Sequence, residues 1–226
     1  VDPSYVFYPN ALQNIKKYIP NPKFIIILRQ PIERSYSHYL MSKARGYESL
    51  SFNEALLKEN ERLLNDNELF NFSNHSYIKR SRYYDLICKV KSEFKMSQIL
   101  YLKFDDLKIF DHKKDMMKKI YKFLDLSFYH NFNYDIHENK SWTYRYKSIN
   151  NIIYQKGLLR SFLKGIIPFE NVRYKIINYI NYLNSQEYIK DQDYLSNIND
   201  EFIKINNHEC KLLLNDINFD INDWII

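Results

Sequence analysis

The sequence predicts an α/β fold, a parallel sheet flanked by helices, and three observations carry that expectation. Lys23-Phe24-Ile25-Ile26-Ile27-Leu28-Arg29 is an unbroken apolar run, rich in β-branched residues and charged at both ends. Such a run is typical of a parallel strand buried on both faces. Pro31 follows at once, and a proline fits the first turn of a helix, where its missing N–H costs nothing. A second apolar run, Gln98-Ile99-Leu100-Tyr101-Leu102, comes after further helical segments. The order helix, strand, helix, helix, helix, strand, helix is that of a sheet wrapped by helices.

Taken in order, residues 11–18 read as a short helix closed by Pro20 and Pro22. The strand at 24–28 leads directly into a helix from Pro31 to about Lys43. Ser51 with Glu54 three residues on forms a capping box that opens a helix over about 52–64. Residues 65–78, rich in Asn and Ser, read as a loop. Over 81–95 Tyr83, Ile87, Val90 and Phe94 share one helical stripe. A helix over 113–124 carries Met116, Met117, Ile120 and Leu124 at helical spacing. From 145 onward no strand is expected. Val172, Ile176, Ile180 and Leu183 mark one helix there, and 197–214 another. Residues 1–226 are thus expected to form one domain, α/β over 1–130 and mainly helical over 131–226.

Composition narrows the partners. The chain has 45% hydrophobic and 27% charged residues, a globular balance. Its net charge of +6 favours an anionic partner. No block of five like charges occurs, which argues against a nucleic-acid tail. The longest apolar run is far too short to span a membrane. The two cysteines, Cys88 and Cys210, stand far apart with no metal-ligand spacing, so they read as free thiols and no metal is expected. Cys88 falls beside the apolar stripe of its helix and is expected to be buried packing.

The chemistry concentrates in Arg29-Gln30-Pro31-Ile32-Glu33-Arg34-Ser35-Tyr36-Ser37-His38-Tyr39. At the carboxyl end of a parallel strand, a helix N-terminus points free N–H groups and a positive dipole at the crevice. Arg29 stands where the strand stops, and its planar fork suits a phosphate. The Ser37 hydroxyl, two turns into the helix, is placed to join it. Read generically, an arginine there is equally a structural ion pair, and Ser37 a helix-surface hydroxyl. Arg34 reads as a buried ion pair.

The whole string from Lys23 to Tyr39 resembles the 3′-phosphate-binding segment of sulfotransferases that use 3′-phosphoadenosine 5′-phosphosulfate (PAPS). That family carries an apolar strand, Arg, any residue, Pro, a second Arg, and Ser before an aromatic. The resemblance makes Arg29 and Ser37 the 3′-phosphate ligands. Ser81-Arg82-Tyr83-Tyr84-Asp85-Leu86 resembles the family's adenine segment, which makes Tyr83 the adenine neighbour. Ile99–Leu107 resembles its next strand and acidic turn, and Leu212–Trp224 the closing helix, Asp turn and Trp of glycan-directed members. The resemblance implies a P-loop-like (nucleotide-kinase-like) fold, PAPS as co-substrate and 3′-phosphoadenosine 5′-phosphate (PAP) as product. It further implies a hydroxyl or amine acceptor, a carbohydrate by preference, and no metal. The compartment it implies is the cytoplasm for a bacterial member and the Golgi lumen for a eukaryotic one.

One departure stands out. The family's first strand runs into a loop with Lys and Thr or Ser that cradles the 5′-phosphosulfate. With only Gly46, Gly157 and Gly165 in the chain, no glycine-rich loop matches it. That loop and the catalytic base are expected upstream of Val1, which would leave this chain inactive alone. Asp2 and His38 are the weaker base candidates within the chain, His38 being better explained by packing. Lys140, in the loop Asn139-Lys140-Ser141, corresponds to a cationic loop that closes over the nucleotide. Two other readings stand beside this one. One is a different P-loop-like phosphate-handling enzyme such as a kinase, where the Arg29–Ser37 spacing has no role. The other is a non-catalytic basic module for a polyanion, which requires aromatics interleaved with cations on an exposed surface.

Overall fold

A computed structural model describes residues 7–8, 10–64, 68–129, 142–146, 148–149, 165, 169–187, 194–195 and 198–226. The described helices are α1 (Ala11–Tyr18), α2 (Pro31–Ala44), α3 (Phe52–Leu57), α4 (Glu59–Leu63), α5 (Glu68–Asn74), α6 (Tyr83–Glu93), α7 (Phe110–Leu124), α8 (Glu170–Asn184) and α9 (Asp200–Leu213). The strands are β1 (Phe24–Leu28), β2 (Ile99–Lys103), β3 (Trp142–Tyr144) and β4 (Ser185–Glu187). The chain divides into two compact units. The first joins Val1–Ser35, Ile78–Ile136 and Asn199–Ile226, and the second Tyr36–Tyr77 and His137–Ile198.

In the first unit β1 and β2 pair in parallel, from Phe24 opposite Ile99 to Leu28 opposite Lys103. The α6 stripe behaves as its periodicity predicts: Tyr83, Ile87, Val90 and the following Phe94 are all buried. They pack with Phe24 and Leu28 of β1, Cys210 and Leu213 of α9, and the C-terminal Ile221 and Trp224. Each such side chain contributes about 1.5–3 kcal/mol on burial. Lys23 ties the start of β1 to the end of α7, donating to the Phe123 carbonyl at 2.6 Å and to Asp125 at 2.5 Å. That places a cation on the carbonyl-rich end of a helix, where its charge is favourable. Buried Glu209 of α9 does the converse for α6, accepting from the Tyr84 backbone N–H (3.4 Å) and from Arg82 Nε (3.0 Å) at that helix's N-terminus.

Several expectations need correcting here. β1 is covered on one side only: Phe24 and Leu28 are buried, whereas Ile25 and Ile27 are 36% and 46% exposed. Among the described residues β2 is its only strand neighbour. Cys88 is exposed, because the stripe that packs runs through Ile87 and leaves its neighbour outside.

The second unit is built from aromatic side chains. Tyr36, Tyr39, Phe52 and Tyr77 are buried, with Tyr36 stacked on Tyr194 at 4.0 Å between ring centroids. The capping box forms as expected, Ser51 accepting from the Glu54 N–H while Glu54 accepts from the Ser51 N–H. The helix it opens breaks at Lys58 into α3 and α4. Residues 68–74, expected as loop, are helix α5. Polar side chains in and just past the helix satisfy nearby carbonyls and leave it intact: Asn71 donates to Arg62 O (2.8 Å), Asn74 to Phe70 O (2.9 Å), and Ser76, two residues beyond the helix, to Phe72 O. β3 and β4 pair antiparallel, and β4 lies in the stretch from 145 onward where no strand was expected. Their three-residue length is too short for any alternation to register in the sequence. The amide of buried Asn184 clamps the Tyr146 backbone, accepting from its N–H at 2.8 Å and donating to its carbonyl at 3.0 Å.

Candidate functional site

The parallel register decides where Arg29 goes. Leu28 pairs with Lys103, so the next residues, Arg29 and Phe104, emerge side by side at the carboxyl ends of the two strands. The Arg29 guanidinium lies 4.9 Å from the centroid of the Phe104 ring, a cation–π contact that helps orient it. Glu33, one turn into α2, receives hydrogen bonds from Nε (3.0 Å) and Nη2 (2.8 Å) on a single carboxylate oxygen. The Arg29 side chain is 18% exposed. It is therefore a held fork whose Nε and Nη2 are engaged by the Glu33 carboxylate, the ion pair that the generic reading of the sequence allowed.

Gln30 secures the turn. Its side-chain carbonyl accepts from the Glu33 backbone N–H at 2.6 Å, capping α2 at its third residue. The Gln30 amide reaches Asn206 and the Trp224 carbonyl, both at 3.4 Å. Behind the corner stands a polar knot. Arg34 Nη1 donates to Ser81 Oγ at 3.2 Å, and Ser35 Oγ lies 2.8 Å from the same hydroxyl. Ser81 belongs to the single turn Lys79–Ser81. Its neighbour Arg80 is buried, the guanidinium 4.9 Å from the Phe7 ring centroid. Sequence reading missed the roles of Glu33, Ser81 and Phe104. The signal for Glu33 was the i,i+4 spacing from Arg29; Phe104 required the strand register.

The expected site residues fall as follows. Arg29 stands at the strand end. Ser37 is half-buried on α2, in the part of the helix that belongs to the second unit. Tyr83 is core, 6% exposed, its phenol hydrogen-bonded to the backbone of Arg29. Burial raises that phenol to about 12, against the lowering effect of Arg34 and Arg29. His38 is buried, Nε2 lying 3.0 Å from the Ser73 carbonyl and the ring edge-on to Tyr77. Arg34 Nη1 donates to the Ser81 hydroxyl. Asp2 and Lys140 lie outside the described residues.

A second polar cluster escaped sequence reading altogether. The Glu48 carboxylate has no exposed side-chain surface and is held by Arg62 (2.5 and 3.1 Å), Tyr77 Oη (2.8 Å) and the N–H groups of Ser49 and Leu50 (both 3.0 Å). Burial alone would raise its pKa, but the Arg62, Leu50 and Tyr77 bonds outweigh that and hold it below the usual carboxylate value. Every lone pair is satisfied, so this cluster is structural.

Among the described residues no group of three or more His, Cys, Asp or Glu is placed to hold a metal ion, and no helix is long and apolar enough to cross a membrane. No protein-family model and no curated protein matches the chain. Among solved structures, the chain is similar to a sulfotransferase from Alicyclobacillus acidocaldarius, at a TM-score of 0.47 and 23% identity over 60% of this chain and 53% of that one. The chain thus spans about half the length of the structure it matches, and a likeness at this level decides neither activity nor substrate.

Proposed function

We propose that the protein is a sulfotransferase that binds PAPS and transfers its sulfuryl group to a hydroxyl or amine of an acceptor, a glycan by preference. The observation that carries the reading is Arg29, held at the carboxyl end of β1 with its fork aligned on the Glu33 carboxylate, whose place a phosphate oxygen would take. It heads the string Arg29-Gln30-Pro31-Ile32-Glu33-Arg34-Ser35-Tyr36-Ser37. The site residue types fit a phosphate: a two-donor guanidinium, a hydroxyl eight residues on, and a helix N-terminus of the favourable sign.

In this reading Arg29 and Ser37 bind the 3′-phosphate. The packing of Tyr83 supports a wall beneath the corner, and its contact with adenine is part of the proposal. Lys140 and Asp2 enter on resemblance alone. The transfer proposed is in line at sulfur, with a base removing the acceptor proton and cations stabilising charge on the leaving phosphate oxygen. No described residue is assigned as that base.

Calorimetry with PAP tests the proposal. Arg29→Ala should weaken binding by about 2–4 kcal/mol and Ser37→Ala by about 1 kcal/mol. Adenosine 5′-phosphate should bind much more weakly than PAP. Equal affinities across these variants, or across the two nucleotides, would remove the reading.

A further inference from the structure

The apolar stripe that marks helix α8 in the sequence is mostly uncovered: Val172, Ile176 and Leu183 are exposed and Ile180 is half-buried. Of its described side chains only Asn184, at the C-terminal end, is buried. Phe169, just before the helix, and Val172, Ile176, Tyr179 and Leu183 along it are 72%, 45%, 39%, 64% and 58% exposed. Their spacing is three, four, three, four, the repeat that places every one on a single seam of a helix. We propose that this seam is a dimerisation surface, on which α8 of a second copy of this chain packs antiparallel.

Three features favour a second copy as the occupant. First, a three–four repeat interlocks with a helix carrying the same repeat, and a second copy supplies one by symmetry. Second, the area reaches the lower end of the range for a specific interface. Counting about 200 Å² for an aromatic and about 150 Å² for an aliphatic side chain, full burial of the seam with the adjacent Tyr182 would remove about 650 Å² per copy, against about 600–1,000 Å² per partner in standard interfaces. Third, the charges beside the seam permit it. Arg173 and Lys175 flank its first half, and Ile180 and Tyr182 its second. Antiparallel packing sets Arg173 beside the partner's Ile180 and Lys175 beside the partner's Tyr182. No cation then faces a cation, and Lys175 gains an aromatic face. The Asn184 clamp on the Tyr146 backbone holds the helix by its end and leaves the seam open.

Sedimentation velocity on the full chain across the micromolar range tests this. The wild-type chain should sediment as a reversible dimer. The double variant Ile176→Glu, Tyr179→Glu should raise the dimer dissociation constant by about 100-fold or more, because two apolar seam residues are lost. Both changes fall on exposed positions, so circular dichroism should show an unchanged fold. A wild-type chain that stays monomeric overturns the proposal. So does a dimer that the charged variant leaves intact. Slow labelling of a Tyr179→Cys thiol in a monomeric chain would show that another segment of the same chain covers the seam, which overturns it equally.

Discussion

Arg29, between β1 and α2, and Glu33 in the first turn of α2 form an ion pair, with Nε and Nη2 of the arginine converging at 3.0 and 2.8 Å on one oxygen of the glutamate. A carboxylate in that position is both a positioning group and a competitor. It holds the guanidinium against Phe104, and it occupies the donors a phosphate would use.

The competition has a measurable sign. Glu33→Gln keeps a hydrogen-bond acceptor but removes the negative charge next to the incoming anion. PAP binding should tighten by about 3–10-fold at low salt, the gain shrinking as salt screens the charge. Weaker binding of the variant would show that Glu33 acts mainly by positioning Arg29. Titration calorimetry at two salt concentrations decides.

Glu48 and Arg62 give a stability prediction with a pH sign. Arg62→Met leaves the Glu48 carboxylate buried without its cation, and should cost about 3–5 kcal/mol in chemical denaturation. Because the Glu48 pKa is depressed on folding, its contribution is complete above the ordinary carboxylate range and is lost as pH falls through the depressed value. Acid unfolding of the wild type should therefore lie below that of Arg62→Met. Coincident acid transitions would contradict the assignment.

Tyr101 is buried, and its hydroxyl has no hydrogen-bond partner among the described contacts. Burial, with Asp216 and Cys88 nearby, raises its phenol to about 12. Removing a buried, unsatisfied hydroxyl relieves a desolvation cost of about 1–3 kcal/mol. Tyr101→Phe should accordingly unfold at the same or a higher temperature. A clear fall in Tm would mean that the hydroxyl has a partner, such as an ordered water.

The two thiols should separate by reactivity. Cys88 is exposed, whereas Cys210 is buried with its thiol raised to about 12, chiefly by burial. An aromatic disulfide reagent should titrate Cys88 promptly in the native chain and Cys210 only after denaturation. Prompt reaction of both would show that the packing of α9 against α6 opens readily. Cys88→Ser should abolish the fast phase and leave the slow one.

Most local structure was determined by the sequence on its own. The apolar run Phe24–Leu28, Pro31 after it, the Ser51–Glu54 box and the Tyr83–Ile87–Val90–Phe94 stripe all depend on residues a few positions apart. Periodicity, capping and proline chemistry act over that range, so these features appear where expected. Tertiary structure alone decided what each apolar face meets. Phe24 and Leu28 are buried while Ile25 and Ile27 are not, and Val172, Ile176 and Leu183 of the α8 stripe are exposed where the α6 stripe is buried. The Glu48–Arg62–Tyr77 cluster and the seat of Arg29 on Phe104 likewise join residues far apart in the chain. The physical reason is the same in each case. A hydrophobic pattern states that a face can be buried, but burial itself needs a second surface, and that surface comes from elsewhere in the chain or from another molecule.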